Sequence, residues 1–116
     1  MIEISVPNLS ELEAEYLQEC IDTNFVSSAG PFVPRFEDGV ANQCRASFAV
    51  AVSSGTAGLH LALLSLGVES GDLVILPSYT FIASANAAHY CGADPWLFDI
   101  DAKSWTLDPE KLRNVL

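Results

Sequence analysis

Apolar side chains return along the first part of the chain at helical spacing. Leu9, Leu12, Tyr16, Leu17, Cys20 and Ile21 recur near every 3.6 residues, while Glu11, Glu13, Glu15 and Glu19 fall mostly on the other side. The spacing predicts an amphipathic helix, started by Pro7, Asn8 and Ser10. Its early acids suit the positive end of the helix dipole. Ile2 to Val6, ahead of it, is a short alternating segment.

From Asn24 to Pro34 the pattern stops. A glycine, two prolines and small polar residues predict a loop. Phe25 and Phe32 are out of place in a solvated loop, so this one is expected to pack on the domain itself or on another subunit. Residues 33–46 form a second helix candidate, with Phe36, Val40, Ala41 and Cys44 on one face and Gly39 as its only interruption.

Residues 48–67 organise the rest of the chain. Phe48 to Val52 is too short for a helix and lacks polar alternation, which predicts a strand buried on both faces of a mostly parallel sheet. Ser53, Ser54 and Gly55 supply cap oxygens and a permissive backbone. Thr56 to Leu66 then carries Leu59, Ala62, Leu63 and Leu66 at helical spacing until Gly67 stops it. After a turn at 69–72, Leu73 to Leu76 reads as a second buried strand ended by Pro77 and Ser78. Phe81 to Tyr90 is a helix rich in small residues (Ala83, Ser84, Ala85, Ala87, Ala88), which permits close approach to a sheet, and Cys91-Gly92 ends it. Pro95 to Ile100 is the third strand. Strands alternating with helices imply βαβ units and an α/β fold. A last helix starts at Asp108 as N-cap with Pro109 in first position and runs from Glu110 to Leu116, where no glycine or cap follows, so it reads as interrupted.

The turn at 53–56 has a chemical consequence. The first amides of a helix have no partner within it, and the dipole adds partial positive charge there. Gly55 lets a phosphate approach the backbone, the hydroxyls of Ser54 and Thr56 add donors, and the amides of Thr56 and Ala57 point at the ligand. Ser-Gly-Thr by itself is also simply how a capped helix begins, so both readings stand on the residues alone.

Composition narrows the classes. The 116 residues suit one domain, half of them are hydrophobic, and the formal charge is −10. Five scattered basic residues make no patch for nucleic acid. Cys20, Cys44 and Cys91 show neither metal-ligand spacing nor a preceding secretory signal, so reduced thiols in a cytoplasmic protein are expected. No apolar run approaches the roughly 20 residues that span a bilayer. His60 and His89 read as packed or partly exposed side chains, Asp99 and Asp101 as a solvated strand end, Trp96 and Trp105 as packing residues, and Tyr79 as either a pocket or a turn-surface residue. No metal site is indicated.

Four segments in order carry a resemblance. They are Asp22 to Pro31 with Phe36-Glu37, Ala49 to Leu63, Leu76 to Ala87, and Cys91 to Pro95 with Asp99-Ile-Asp101. Together they resemble the N-terminal part of the DegT/DnrJ/EryC1/StrS family of pyridoxal-phosphate (PLP)-dependent nucleotide-sugar aminotransferases, over nearly the whole chain. The resemblance implies the N-terminal portion of a three-layer fold-type-I large domain. Residues 1–47 would be its N-terminal helices and loop, and residues 48–116 its βαβ core, in a single partial domain. It also implies a homodimer, a nucleotide-linked keto-sugar as substrate for surface polysaccharide or nonulosonic acid synthesis, and an amino donor. By position, Ser54, Gly55, Thr56 and Ala57 match the phosphate-binding turn of the cofactor, Phe81 the aromatic that stacks on its ring, and Ser28 and Gly30 a loop near the sugar nucleotide. An aromatic face holds a flat cofactor without competing for its reactive carbon.

The Schiff-base lysine and the carboxylate facing the pyridine nitrogen lie beyond this length in the family. Lys103 and Lys111 stand where the family has ordinary surface residues. No catalytic residue is therefore assigned, and the chain alone is expected to be inactive. The alternative is a non-catalytic α/β module that self-associates through apolar surface. A phosphate site for another nucleotide is disfavoured, since Gly-x-Gly-x-x-Gly and Gly-x-x-x-x-Gly-Lys are both missing.

Overall fold

The computed structural model describes residues 5–116, so residues 2–4 of the alternating opening segment lie outside the described residues. The chain forms two compact units, Met1–Ala51 and Val52–Leu116.

Among the described residues the first unit holds two helices. α1 spans Glu11–Asp22 and starts where the sequence places it. The Ser10 Oγ accepts from the Leu12 amide, and the Glu13 carboxylate accepts from the Ser10 amide and hydroxyl, both at 2.6 Å, closing a capping box. The same bonds, the hydroxyl first, hold the Glu13 carboxyl below its ordinary value. α2 spans Phe32–Cys44, so the predicted loop ends three residues early. Pro34 sits in the first helical turn, where a missing N–H removes no bond, and the sequence signal of two prolines overstated the loop. Gly39 does not interrupt the helix, and Arg45 closes it in the left-handed region. The Arg35 guanidinium lies over the Tyr16 and Phe32 rings at 5.4 and 5.0 Å and 3.8 Å from Glu19, which ties α2 to α1.

One predicted strand does not form. Phe48 to Val52 has no ladder partner among the described residues, and Phe48 is 87% exposed. An apolar run specifies a wish to be buried, whereas a strand exists only once a neighbour supplies its hydrogen bonds. Within the first unit the segment is instead anchored by a side chain, with the Ala51 amide donating to Glu37 Oε1 at 2.7 Å.

The second unit contains α3 (Gly55–Ser65), β1 (Leu73–Pro77), α4 (Ile82–Tyr90), β2 (Asp94–Phe98) and α5 (Pro109–Arg113). β1 and β2 pair in parallel from Leu73↔Asp94 to Pro77↔Phe98, with α4 as the crossover. Among the described residues the sheet thus has two strands rather than three. β1 ends at Pro77, which still pairs as its last residue, and Ile100 leaves β2 to form a separate antiparallel bridge with Leu107. α4 packs on α3 and on both strands. Its small residues allow this, and Ala87 and Ala88, with Ala93 just beyond, are the fully buried apolar residues among those described. α3 is apolar on every side, and Leu59, Leu61 and Leu64 remain exposed.

α3 and α4 end alike. The amides of Val68 and Gly67 bond Leu63 and Leu64 carbonyls, and those of Ala93 and Gly92 bond Ala88 and His89 carbonyls, the two-bond Schellman closure. Gly92 stands at φ +78, which favours glycine, and a Cβ there would also sit tightly against Ser70, 3.3 Å from its Cβ. α5 begins as predicted, with Asp108 Oδ1 accepting from the Glu110 and Lys111 amides. It ends at Arg113 with Asn114 as C-cap rather than running to Leu116.

Candidate functional site

At the start of α3, Ser54 is an extended N-cap. Its Oγ accepts from the Ala57 amide at 3.2 Å, and its carbonyl accepts from the Gly58 amide at 3.0 Å. The Ala57 amide is therefore engaged by its own cap. The amides of Gly55 and Thr56 enter no hydrogen bond among the described residues. These two open donors, at the positive end of an eleven-residue helix, are what an anion would meet. Gly55 lies outside the left-handed region, and a Cβ there would meet nothing within 4 Å. The backbone does not require glycine at that position, so its bare Cα leaves open space in front of the helix.

Phe81 occupies the corresponding place on α4. It is an N-cap in extended conformation without a side-chain cap, its carbonyl accepts from the Ser84 amide at 3.1 Å, and its ring is 80% exposed. The turn leading to it is fastened at both ends. The Ser78 amide donates to the Phe98 carbonyl at 2.6 Å, and Thr80 Oγ1 meets Ser84 Oγ at 3.2 Å. The predicted phosphate turn and stacking aromatic thus sit at the starts of two helices packed on one another. Open amides suit an anion, and an exposed aromatic face suits stacking on a flat group.

Ser28 and Gly30 belong to the first unit. Ser28 is exposed beside a turn in which Ser27 Oγ accepts from the Ala29 amide at 3.3 Å. Gly30 is at φ +123, and a Cβ would come within 2.8 Å of Phe25, so Phe25 packs against its own loop.

One cluster near the end of β2 is not apparent from the residue pattern. Asp101 is no bare strand end, because its Oδ1 accepts from the Ser104 amide (2.8 Å), the Ser104 hydroxyl (2.9 Å) and the Lys103 amide (3.1 Å). Those bonds, Ser104 first, hold its carboxyl below the ordinary aspartate range. Trp105 comes next at φ +59, a conformation that disfavours a bulky side chain by roughly 1–2 kcal/mol. Its ring meets Tyr79 edge-on, 5.2 Å between centroids and 79° between planes. A pairing across 26 positions leaves no local pattern, although Asp followed by Ser three residues later does signal a capped turn.

The other candidates are accounted for locally. His60 packs edge-on against Tyr90 at 5.6 Å, Trp96 against Phe98 at 4.8 Å, and Asp99 pairs with Lys111 at 3.5 Å. Among the described residues no three His, Cys, Asp or Glu side chains cluster as metal ligands, and no helix is long and apolar enough to cross a membrane.

Comparison with known proteins supplies the context for this geometry. The sequence model of the DegT/DnrJ/EryC1/StrS aminotransferase family matches residues 7–116. The chain belongs to this family. A GDP-perosamine synthase of Caulobacter vibrioides is 44% identical over 115 residues, 99% of this chain and 31% of the relative. An aminotransferase structure from Psychrobacter cryohalolentis superposes with TM-score 0.87 at 32% identity, covering 95% of this chain and 28% of that one. A structure described as a sugar aminotransferase of Streptococcus pneumoniae in its PLP form gives 0.85 at 29% identity, covering 99% of this chain and 29% of that one. The fold is accordingly that of the N-terminal portion of a fold-type-I aminotransferase, and PLP is the cofactor found among these family members. The chain spans about a third of the length of the relatives it matches.

Proposed function

We propose that this chain supplies half of the cofactor site of a PLP-dependent aminotransferase acting on a nucleotide-linked keto-sugar, for surface polysaccharide or nonulosonic acid synthesis. The observation that carries the reading is that α3 opens with free amides at Gly55 and Thr56 while α4, which packs on it, opens with the exposed Phe81. The amides and the Thr56 hydroxyl hold the phosphate. Ser54 fixes the first turn by engaging the Ala57 amide, and Phe81 covers one face of the ring. When bound, PLP supplies the electron sink for amino-group transfer. Ser28 and Gly30 are assigned to the sugar nucleotide on the family pattern.

Neither lysine near the C-terminal end is the covalent anchor in this reading. Lys111 is paired with Asp99, and Lys103 sits in the turn capped by Asp101. Titration of the purified chain with PLP, read by absorbance before and after borohydride reduction, tests both parts. Saturable binding that reduction does not fix, weakened in Phe81→Ala, is the expected result. Lack of saturable binding overturns the cofactor site, and a fixed adduct at Lys103 or Lys111 overturns the lysine assignment.

A second reading, self-association, is favoured by the exposed leucines of α3, Leu59, Leu61 and Leu64. Size exclusion of the same samples tests it. A discrete oligomer without PLP binding would replace the first reading with the second.

A further inference from the structure

We propose that Trp105 is a positioning residue for Phe81: its indole, set edge-on against Tyr79, holds the turn that presents the Phe81 ring. The inference rests on the cofactor reading above and deepens it, because it names what keeps the stacking face in place.

The turn from Ser78 to Phe81 is tied at its start to the Phe98 carbonyl and at its end to Ser84. Between those ties Tyr79 enters no hydrogen bond among the described residues, and the aromatic contact its ring makes is with Trp105. Both rings are largely exposed, Tyr79 at 65% and Trp105 at 60%, so the pair is not filling a core.

The backbone at Trp105 points the same way. At φ +59 a glycine would be unstrained, yet the largest side chain stands there. The loop that carries it is held on several sides. The Ile100↔Leu107 bridge closes it, Asp101 and Thr106 bond across it at 2.9 Å, the Trp105 amide donates to the Asp101 carbonyl at 2.9 Å, and the Asp101 carboxylate gathers the amides of Lys103 and Ser104. A strained conformation maintained by its surroundings is informative when the side chain it displays has a partner. Here that partner lies two residues before Phe81.

The variant Trp105→Gly removes the ring and relieves the strain together, so stability and positioning separate. PLP affinity, the induced circular dichroism of the bound cofactor, thermal stability, and amide hydrogen exchange of residues 79–82 without cofactor would be measured on the 116-residue chain. An aromatic pair of this kind corresponds to a loss of about threefold to tenfold in affinity. The expected result is that loss, with faster exchange at 79–82, an altered dichroic band and a largely unchanged melting temperature. Trp105→Phe, which keeps a ring edge, should recover most of the affinity. Tyr79→Leu should match Trp105→Gly, and the double variant should be no worse than the worse single one, because both remove one contact.

Equal PLP binding and exchange in wild type and Trp105→Gly would overturn the inference while leaving the cofactor reading intact, as would additive losses in the double variant. Wild-type chain that binds no PLP would overturn the cofactor reading and this inference with it. If Trp105→Gly unfolds, the comparison of Tyr79→Leu with Trp105→Phe decides. Weakened binding in the first and retained binding in the second support the brace, and equal binding in both overturns it.

Discussion

Gly55→Ala separates a glycine kept for the fold from one kept for a ligand. Gly55 is the first residue of α3, its φ is not left-handed, and an added Cβ meets no atom within 4 Å. Alanine is the better helix former, and replacing glycine at a compatible position stabilises by about 0.5 kcal/mol, largely by restricting the unfolded chain. For a domain near this size that is a rise of roughly 2–4 °C in melting temperature. The binding effect has the opposite sign. A Cβ in a helix tilts toward its N-terminus, which is where the phosphate would approach the Gly55 and Thr56 amides. Displacing one charge-assisted hydrogen bond, worth about 1.5–3 kcal/mol, lowers affinity by roughly tenfold to a hundredfold. Calorimetric melting with PLP titration, and competition by inorganic phosphate, measures both. A higher melting temperature with weaker PLP binding is expected. Lower stability would mean that the backbone itself needs glycine there, and unchanged PLP affinity would mean that no phosphate approaches this helix end; either refutes the reasoning.

Gly92→Ala should lower stability by about 1–2 kcal/mol, since it forces a side chain into φ +78 against Ser70, and urea denaturation would show the midpoint fall. Ala88→Leu overfills the fully buried contact of α4 and should destabilise by about 1–3 kcal/mol or more in the same assay, whereas an unchanged midpoint would show that α4 has room to spare. Because the Ser10 hydroxyl and amide depress the Glu13 carboxyl, the contribution of this carboxylate to α1 is fully present above the ordinary glutamate value of 4.5 and fades as pH falls through the lower folded value. Far-ultraviolet circular dichroism should lose helical signal across that acid range, and Glu13→Gln should flatten the change.

Legibility in the sequence tracks the range of the interactions. Ser10 with Glu13, Ser54 with Ala57 and Asp108 with Lys111 are bonds across three positions, and all three helix starts are visible in the residues themselves. Glycines 67 and 92 announce helix ends for the same reason. The strand expected at 48–52 does not form because its partner is a matter of tertiary pairing, and what the segment finds is the side chain of Glu37, fourteen positions away. The candidate cofactor turn is visible as a cap, but the residues alone do not say that Ser54 claims the Ala57 amide and leaves those of Gly55 and Thr56 open. The contact between Tyr79 and Trp105 is invisible altogether, since each residue alone suits a surface turn.

The fully buried apolar residues of the second unit, Ala87, Ala88 and Ala93, each contribute one methyl group. The heat-capacity increment of unfolding tracks the apolar area newly wetted, and for 116 residues of ordinary burial it would be roughly 1.4–1.7 kcal/mol/K. With large apolar side chains such as Phe48, Leu66 and Phe81 already exposed in the folded chain, the increment falls below that range. A small increment flattens the curve of stability against temperature. Stability should therefore change less on cooling than in a domain of this length with its apolar side chains covered.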